Sequence, residues 1–335
     1  MFGIHRPKQE GNGLKQFKTF VLCLFVGLLT CQMGCAQTSF PSKPIRIWVG
    51  YPPGGPVDVL ARIYGPRLSK NLGQPVVVEN KSGASGAMAA DQMLRSPADG
   101  HSLLLAPVTI AIIPNLLNKL PYDTGVDLFP MAWIAQAPFV LVAHPKLGIK
   151  NLSELIAYAK KHPGEINFAS ASVGGVPHLA GELFNTVAGI KMTHIPYKGA
   201  APATADLLSG QVNLMFDSVV SALPYIKSQR LIALGVTGPK RIAALPDVAS
   251  ISESLQGYEA SGWYGFFVSK DVPKQMLQVI HQEINRLTVS EEVERLLRFN
   301  GLEPVAASQS EFSAYFASEL LKWKRVVRES DIQSN

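Results

Sequence analysis

The sequence predicts an α/β protein of two lobes with mostly parallel sheets. Short β-branched runs alternate with helical patterns along most of the chain, as parallel βαβ units require. Nine candidate strands, at 45–49, 76–79, 102–106, 140–143, 166–169, 192–195, 212–216, 231–236 and 265–268, are too many for one compact sheet in 335 residues. No Pro/Gly/Ser-rich linker divides the chain once, so the chain is expected to pass between its lobes more than once. The runs 139–143 and 263–268 flank the middle section and read as the crossings. Lobe one is then 42–140 plus 266–335, and lobe two is 141–265.

Helices are legible where caps and period agree. Asn151 can cap a helix with Glu154 three residues on, which places Leu152, Leu155, Ile156 and Ala159 on one face. Pro273 suits a first helical turn, and Met276, Leu277, Ile280, Ile284 and Leu287 follow at helical spacing. The last helix carries Phe312, Phe316, Leu320, Trp323 and Val327 in one stripe, which reads as core.

With 47% hydrophobic and 17% charged residues the composition is globular. The net charge of +6 suggests a nucleic-acid partner until the basic residues are located. Arg6, Lys8, Lys15 and Lys18 precede the apolar run 20–29, and Gly34-Cys35-Ala36 supplies the small residues of a cleavage site. This is a signal peptide over 1–36, cleaved after Ala36, and its ten-residue apolar run is well short of the about 20 residues that span a bilayer. Processing removes those four basic residues and Glu10, leaving +3, so no nucleic-acid partner is expected. Cys23, Cys31 and Cys35 leave with the segment, which fits export to an oxidising, periplasmic compartment. Acylation at Cys35 is the alternative, although Gln32 stands where a lipoprotein signal normally has leucine.

Several strand ends run into glycine-rich turns that open helices. Tyr51-Pro52-Pro53-Gly54-Gly55-Pro56-Val57-Asp58 follows the first strand and exposes backbone N–H groups at the positive end of a helix, an arrangement suited to a carboxylate. The bland alternative is a tight turn with Asp58 as a first-turn dipole residue. The segments 169–178 and 195–202 repeat the theme, and Phe216-Asp217-Ser218 opens a further helix. Ligands of open α/β sheets bind outside the carboxyl ends of the strands, so these turns are expected to face one cleft.

No catalytic constellation is legible, and an enzyme is not expected. Gly83-Ala84-Ser85-Gly86-Ala87 completes neither a nucleophile elbow nor a dinucleotide fingerprint. None of His101, His144, His162, His178, His194 and His281 pairs at i, i+4, and neither a metal nor a cofactor is expected. His178, at a helix start, is the histidine suited to ligand contact.

Six ordered segments carry a family resemblance: Tyr51-Pro52-Pro53-Gly54-Gly55, 72–81, Leu120-Pro121-Tyr122-Asp123, 178–184, 195–202 and Leu245-Pro246-Asp247-Val248. Together they resemble the Bug-type receptors of tripartite tricarboxylate transporters, over 41–333. The resemblance implies a type II periplasmic binding protein fold with two crossing strands, and a cleft that closes on a small organic acid. It also implies a monomeric receptor that delivers the acid to membrane transporter subunits. A ligand sensor that reports to a membrane signalling protein is the alternative.

In that family the ligand carboxylate is held largely by backbone amides and ordered water from the first glycine turn. Carried onto this sequence, the ligand residues are Tyr51, Pro53, Gly54, Gly55 and Asp58 on one lobe. Ser172, Val173, Gly175, His178, Tyr197, Gly199, Ala200 and Asp217 face them from the other. Ser85 and Thr109 either line the cleft or cap a helix. The segment 110–113 is unusually apolar for the wall of a polar ligand's cleft, which argues against citrate and makes a monocarboxylate or a dicarboxylate with an apolar body as good an expectation.

Overall fold

The computed structural model describes residues 1–3, 40–117, 119–171, 173–197 and 199–329. The signal segment, the cleavage site at Ala36, the cysteines and Ser172 lie outside the described residues, except that Met1–Gly3 are described as coil. The chain divides into Met1–Ser42 and Lys43–Asn335, and every element below belongs to the second unit. Among the described residues no helix is long and apolar enough to cross a membrane.

The elements run β1 (Ile45–Val49), α1 (Pro56–Leu72), β2 (Val76–Asn80), α2 (Ala87–Leu94), β3 (Ser102–Pro107), α3 (Thr109–Ile112), β4 (Leu128–Ala137) and β5 (Phe139–Ala143). Then come α4 (Leu152–Lys161), β6 (Asn167–Ser170), α5 (Val176–Ala188), β7 (Thr193–Pro196), α6 (Ala200–Ser209), β8 (Leu214–Ser218), α7 (Val219–Lys227), β9 (Ile232–Val236) and α8 (Ile251–Ser254). The chain closes with β10 (Gly262–Ser269), α9 (Lys274–Thr288), α10 (Glu291–Phe299), β11 (Glu303–Pro304) and α11 (Gln309–Glu329).

Two sheets form, in the orders β11-β4-β10-β3-β1-β2 and β7-β6-β8-β5-β9. The expectation of mostly parallel sheets is corrected. β1 runs parallel to β2 and β3, and β6 to β7 and β8, but every pairing made by β4, β5 or β10 is antiparallel. Each βαβ unit is therefore extended by strands that leave or enter the lobe directly, without a crossover helix.

β4 has no counterpart among the sequence-read strands. Pro130 interrupts its pattern, and a proline in a run argues against a central strand. The fold tolerates it because β11 reaches only Ala135 and Gln136, so at Pro130 the strand has one neighbour, β10.

The passages between sheets also differ in position from the reading. β5 pairs only in the second sheet and β10 only in the first, so the chain changes sheet at Pro138 and again at 260–261, immediately beside the strands read as crossings. Thr237 ties the two passages together. Fully buried, it accepts the Phe139 amide on Oγ1 at 2.8 Å, donates its own amide to the Phe139 carbonyl at 2.9 Å, and accepts the Ala260 amide at 3.1 Å.

The helix readings hold in their essentials. Asn151 Oδ1 accepts the Glu154 amide at 2.9 Å at the start of α4, a cap worth about 1 kcal/mol. Pro273 stands at the N-cap of α9, whose Leu277, Ile280, Ile284 and Leu287 are buried. Phe312, Phe316 and Trp323 of α11 are core, and the rings of Phe312 and Phe316 meet Trp263 of β10 edge to face. Behind them lies a buried carboxylate. Glu319 accepts the indole N–H of Trp263 at 2.8 Å and of Trp323 at 2.9 Å, and pairs with Lys322.

Candidate functional site

The ends of β1, β3, β4 and β10 meet the start of β5 at the passage between sheets, and there the chain leaves a cavity of about 400 Å³. Tyr51, Pro52, Gly55, Pro56 and Val57 line it from the first glycine turn, and Pro107, Val108 and Thr109 from the end of β3. Ala137, Phe139, Gly262, Trp263 and Tyr264 form the floor, and Val176 closes it from the start of α5 in the second lobe. Among the described lining residues none is Lys, Arg or His.

The first glycine turn is held from within. Gly54 takes φ of +83°, the left-handed region that favours glycine, and its amide donates to Asp58 Oδ2 at 2.9 Å. Asp58 is buried and also accepts from Arg62 through Nε and Nη2, at 2.8 and 3.0 Å, and from Asn80 at 2.9 Å. The Arg62 guanidinium foremost, with the Gly54 amide and Asn80, outweighs desolvation and lowers its pKa to about 2. Asp58 is thus a brace of the turn, the bland reading of this residue, and it does not line the cavity.

That brace also moves the free amides. The Gly54 N–H is committed to Asp58 and the Gly55 N–H points to the Pro52 carbonyl at 3.4 Å. Pro56 has no N–H, so the unpaired donors that open α1 belong to Val57 and Asp58. Pro53 and Gly54 are exposed and lie off the cavity. α5 has the same build, with Gly175 at its N-cap and Pro177 in its first turn.

Tyr51 and Thr109 meet across the turn. Their hydroxyl oxygens lie 2.5 Å apart, and the Tyr51 hydroxyl donates to the Ser85 carbonyl at 3.0 Å. Ser85 is exposed and reaches the site through its carbonyl alone, from a turn whose Gly83, Ala84, Ser85 and Gly86 all have positive φ. The apolar segment 110–113 is core: Ile110, Ala111, Ile112 and Ile113 are each at most 2% exposed, so they do not form the cleft wall. The wall is Val108, Phe139, Val176 and Trp263.

The second-lobe readings fall on residues that the structure keeps off the cavity. His178 is buried; its Nδ1 accepts the Gly174 amide at 3.0 Å, and its ring stacks on His194 with centroids 3.6 Å apart. It holds the turn from within and does not line the cavity. Burial and the neighbouring His178 ring push the His194 pKa down to about 4. Val173 is exposed, while a Cβ at Gly174 would come within 3.2 Å of Leu116 of the first lobe. Tyr197 spends its hydroxyl on Asp206 at 2.7 Å, and desolvation with that carboxylate raises its pKa to about 12. Gly199, with φ of +112°, donates its amide to the Ala171 carbonyl at 3.0 Å, and Ala200 opens α6 in solvent. Asp217 is buried at the end of β8; its Oδ1 accepts the Ser218 amide at 2.8 Å, and desolvation, opposed by Ser221 and the Ser218 amide, raises its pKa. Of the sequence-read residues, then, Tyr51, Gly55 and Thr109 line the cavity.

Residues 60–332 match the tripartite tricarboxylate transporter family receptor, TctC. The chain belongs to this family. Among curated TctC relatives, BugT of Bordetella pertussis is 34% identical over 315 residues, covering 92% of this chain and 96% of that one. A protein encoded in the tcbD-tcbE intergenic region of Pseudomonas sp. strain P51 is 34% identical over 299 residues, 89% of each chain.

Solved TctC-like structures agree in architecture. A ligand-free TctC solute binding protein from Polaromonas, 26% identical, superposes with a TM-score of 0.80 over 87% of this chain and 99% of that one. An R. palustris protein with adipate, 30% identical, gives 0.69 over 88% and 100%. MatC of Rhodopseudomonas palustris with bound malate, 28% identical, gives 0.65 over 86% and 100%. The chain therefore has the periplasmic binding protein fold, and it is a solute-binding protein, not an enzyme.

Pro107, Val108, Ala137, Phe139, Val176, Gly262, Trp263 and Tyr264 line the TctC cleft without having been read from the sequence. Phe139 and Trp263 were legible as flanks of the crossings. Nothing in the local sequence marks Tyr264, which alternates along β10 like any half-buried strand residue.

Proposed function

We propose that the chain is an extracytoplasmic receptor that captures a small organic acid between two lobes, one built on the first sheet (β1–β4, β10 and β11) and one on the second (β5–β9), and delivers it to membrane transporter subunits. The observation that carries this reading is the cavity at the passage between sheets, lined by Val57 and Val176 from the starts of two helices whose first N–H groups have no partner among the described residues. Backbone N–H groups at a helix start hold a carboxylate without a dedicated cation. The adipate and malate bound by two relatives support an organic acid here as well.

Passage residues 138 and 260–261 serve as the hinge, and the second-lobe turns approach the ligand on closure. In this account Val173, Gly175, Gly199 and Ala200 reach the ligand only in the closed form. The receptor acts as a periplasmic monomer, after cleavage at Ala36.

Mass spectrometry of the small molecule released on denaturing the exported protein tests the reading. One organic acid per chain is expected, chemically unchanged. Release of a reaction product, or of a nucleotide or peptide, contradicts it. Uptake of that acid, labelled, in a strain lacking the receptor separates transport from sensing: transport requires that uptake fall.

A further inference from the structure

The hydroxyls of the cleft are not equivalent. Tyr51 and Thr109 are bonded to each other, Tyr51 also to Ser85, and the Trp263 indole N–H is spent on Glu319. Tyr264 lines the same cavity, and among the described residues its hydroxyl has no hydrogen-bond partner. Burial foremost, and the nearby Tyr51, push its pKa up to about 12, so it remains an O–H donor throughout the physiological range. The surrounding wall is Val108, Phe139, Val176 and Trp263, and no cationic side chain lines it among the described residues.

We propose that the cleft selects a monocarboxylic acid with an apolar body, its carboxylate accepting from the Tyr264 hydroxyl and its body lying against Val108, Phe139 and Val176. This rests on the receptor reading above and names its ligand class. One carboxylate finds Tyr264 and the amides that open α1 and α5. A second carboxylate, or a row of hydroxyls, would be desolvated against the wall of Val108, Phe139, Val176 and Trp263 with no cationic side chain among the described lining residues to offset the cost, which penalises malate and citrate alike. The cavity of about 400 Å³ leaves room for an aliphatic chain or one aromatic ring.

Titration calorimetry on the exported protein with hexanoate, benzoate, malate and citrate tests the proposal. Hexanoate or benzoate is expected to bind at least about tenfold more tightly than malate or citrate, and hexanamide not at all. Tyr264→Phe is expected to weaken the tighter acid by about tenfold without moving the thermal midpoint, because the lost hydroxyl holds nothing within the protein. Malate or citrate binding as tightly as the apolar acids, or more so, overturns the ligand class and leaves the receptor reading standing. Unchanged affinity in Tyr264→Phe overturns the role of that hydroxyl. If none of the four acids binds while an organic acid is released from the denatured protein, the ligand class is overturned and the receptor reading stands; if no acid is released either, both fall.

Discussion

Glu319→Ala is expected to lower the unfolding free energy by about 3–5 kcal/mol, the range found when one partner of a buried charged group is removed. Glu319 is 1% exposed and its carboxylate gathers the indoles of Trp263 and Trp323 and the Lys322 ammonium. Without it two buried N–H groups lose their acceptor, at about 1–3 kcal/mol each, and Lys322 loses its partner. Relief of desolvation, and of repulsion with the half-buried Glu259 carboxyl, offsets only part of this. Glu319→Gln keeps one acceptor oxygen and is expected to cost roughly half as much. Denaturant melts of both variants decide the matter; a loss below about 1 kcal/mol in Glu319→Ala would mean that packing alone fixes the two tryptophans.

Gly50→Ala is expected to damage stability and binding together. A Cβ at Gly50 would lie 2.4 Å from the Gly86 Cα, and since that atom is backbone, no side-chain rotation relieves the clash. The turn 83–86 must move, at about 2–3 kcal/mol. That turn presents the Ser85 carbonyl to Tyr51, so the variant is expected to lose at least about tenfold in affinity as the Tyr51 ring loses its anchor. Gly54→Ala is the control: its Cβ meets nothing, so the cost is only the strain of φ at +83°, about 1–2 kcal/mol. Equal effects of the two substitutions on affinity would contradict the assignment of the 83–86 turn as a support for Tyr51.

What could be read from the sequence followed local rules. β1 is found at the predicted residues, Ile45–Val49, because an apolar run between Pro44 and Gly50 has few alternatives. The cap at Asn151, the start of α9 near Pro273 and the aromatic stripe of α11 were visible for the same reason. β4 was not, because Pro130 breaks the local pattern and only the neighbouring strand supplies the pairing. At the site, the glycine turns were recognisable as loops, but the fate of each amide depended on contacts the sequence does not display. Asp58 takes the Gly54 amide from inside the helix, His178 takes the Gly174 amide, and Asp206, nine residues on, takes the Tyr197 hydroxyl. Each partner turns a residue suited to a ligand into one that shapes the turn. Tyr264 was missed for the opposite reason: its significance is a hydroxyl left without a partner, which only the assembled cleft reveals.

The central claim, that two lobes close on an organic acid, is tested most directly by small-angle scattering of the exported protein with and without a saturating acid. A smaller radius of gyration is predicted with the acid, because rotation about 138 and 260–261 brings the second-lobe turns onto the cavity. An unchanged radius, with calorimetry on the same sample showing the site full, would contradict closure about that hinge.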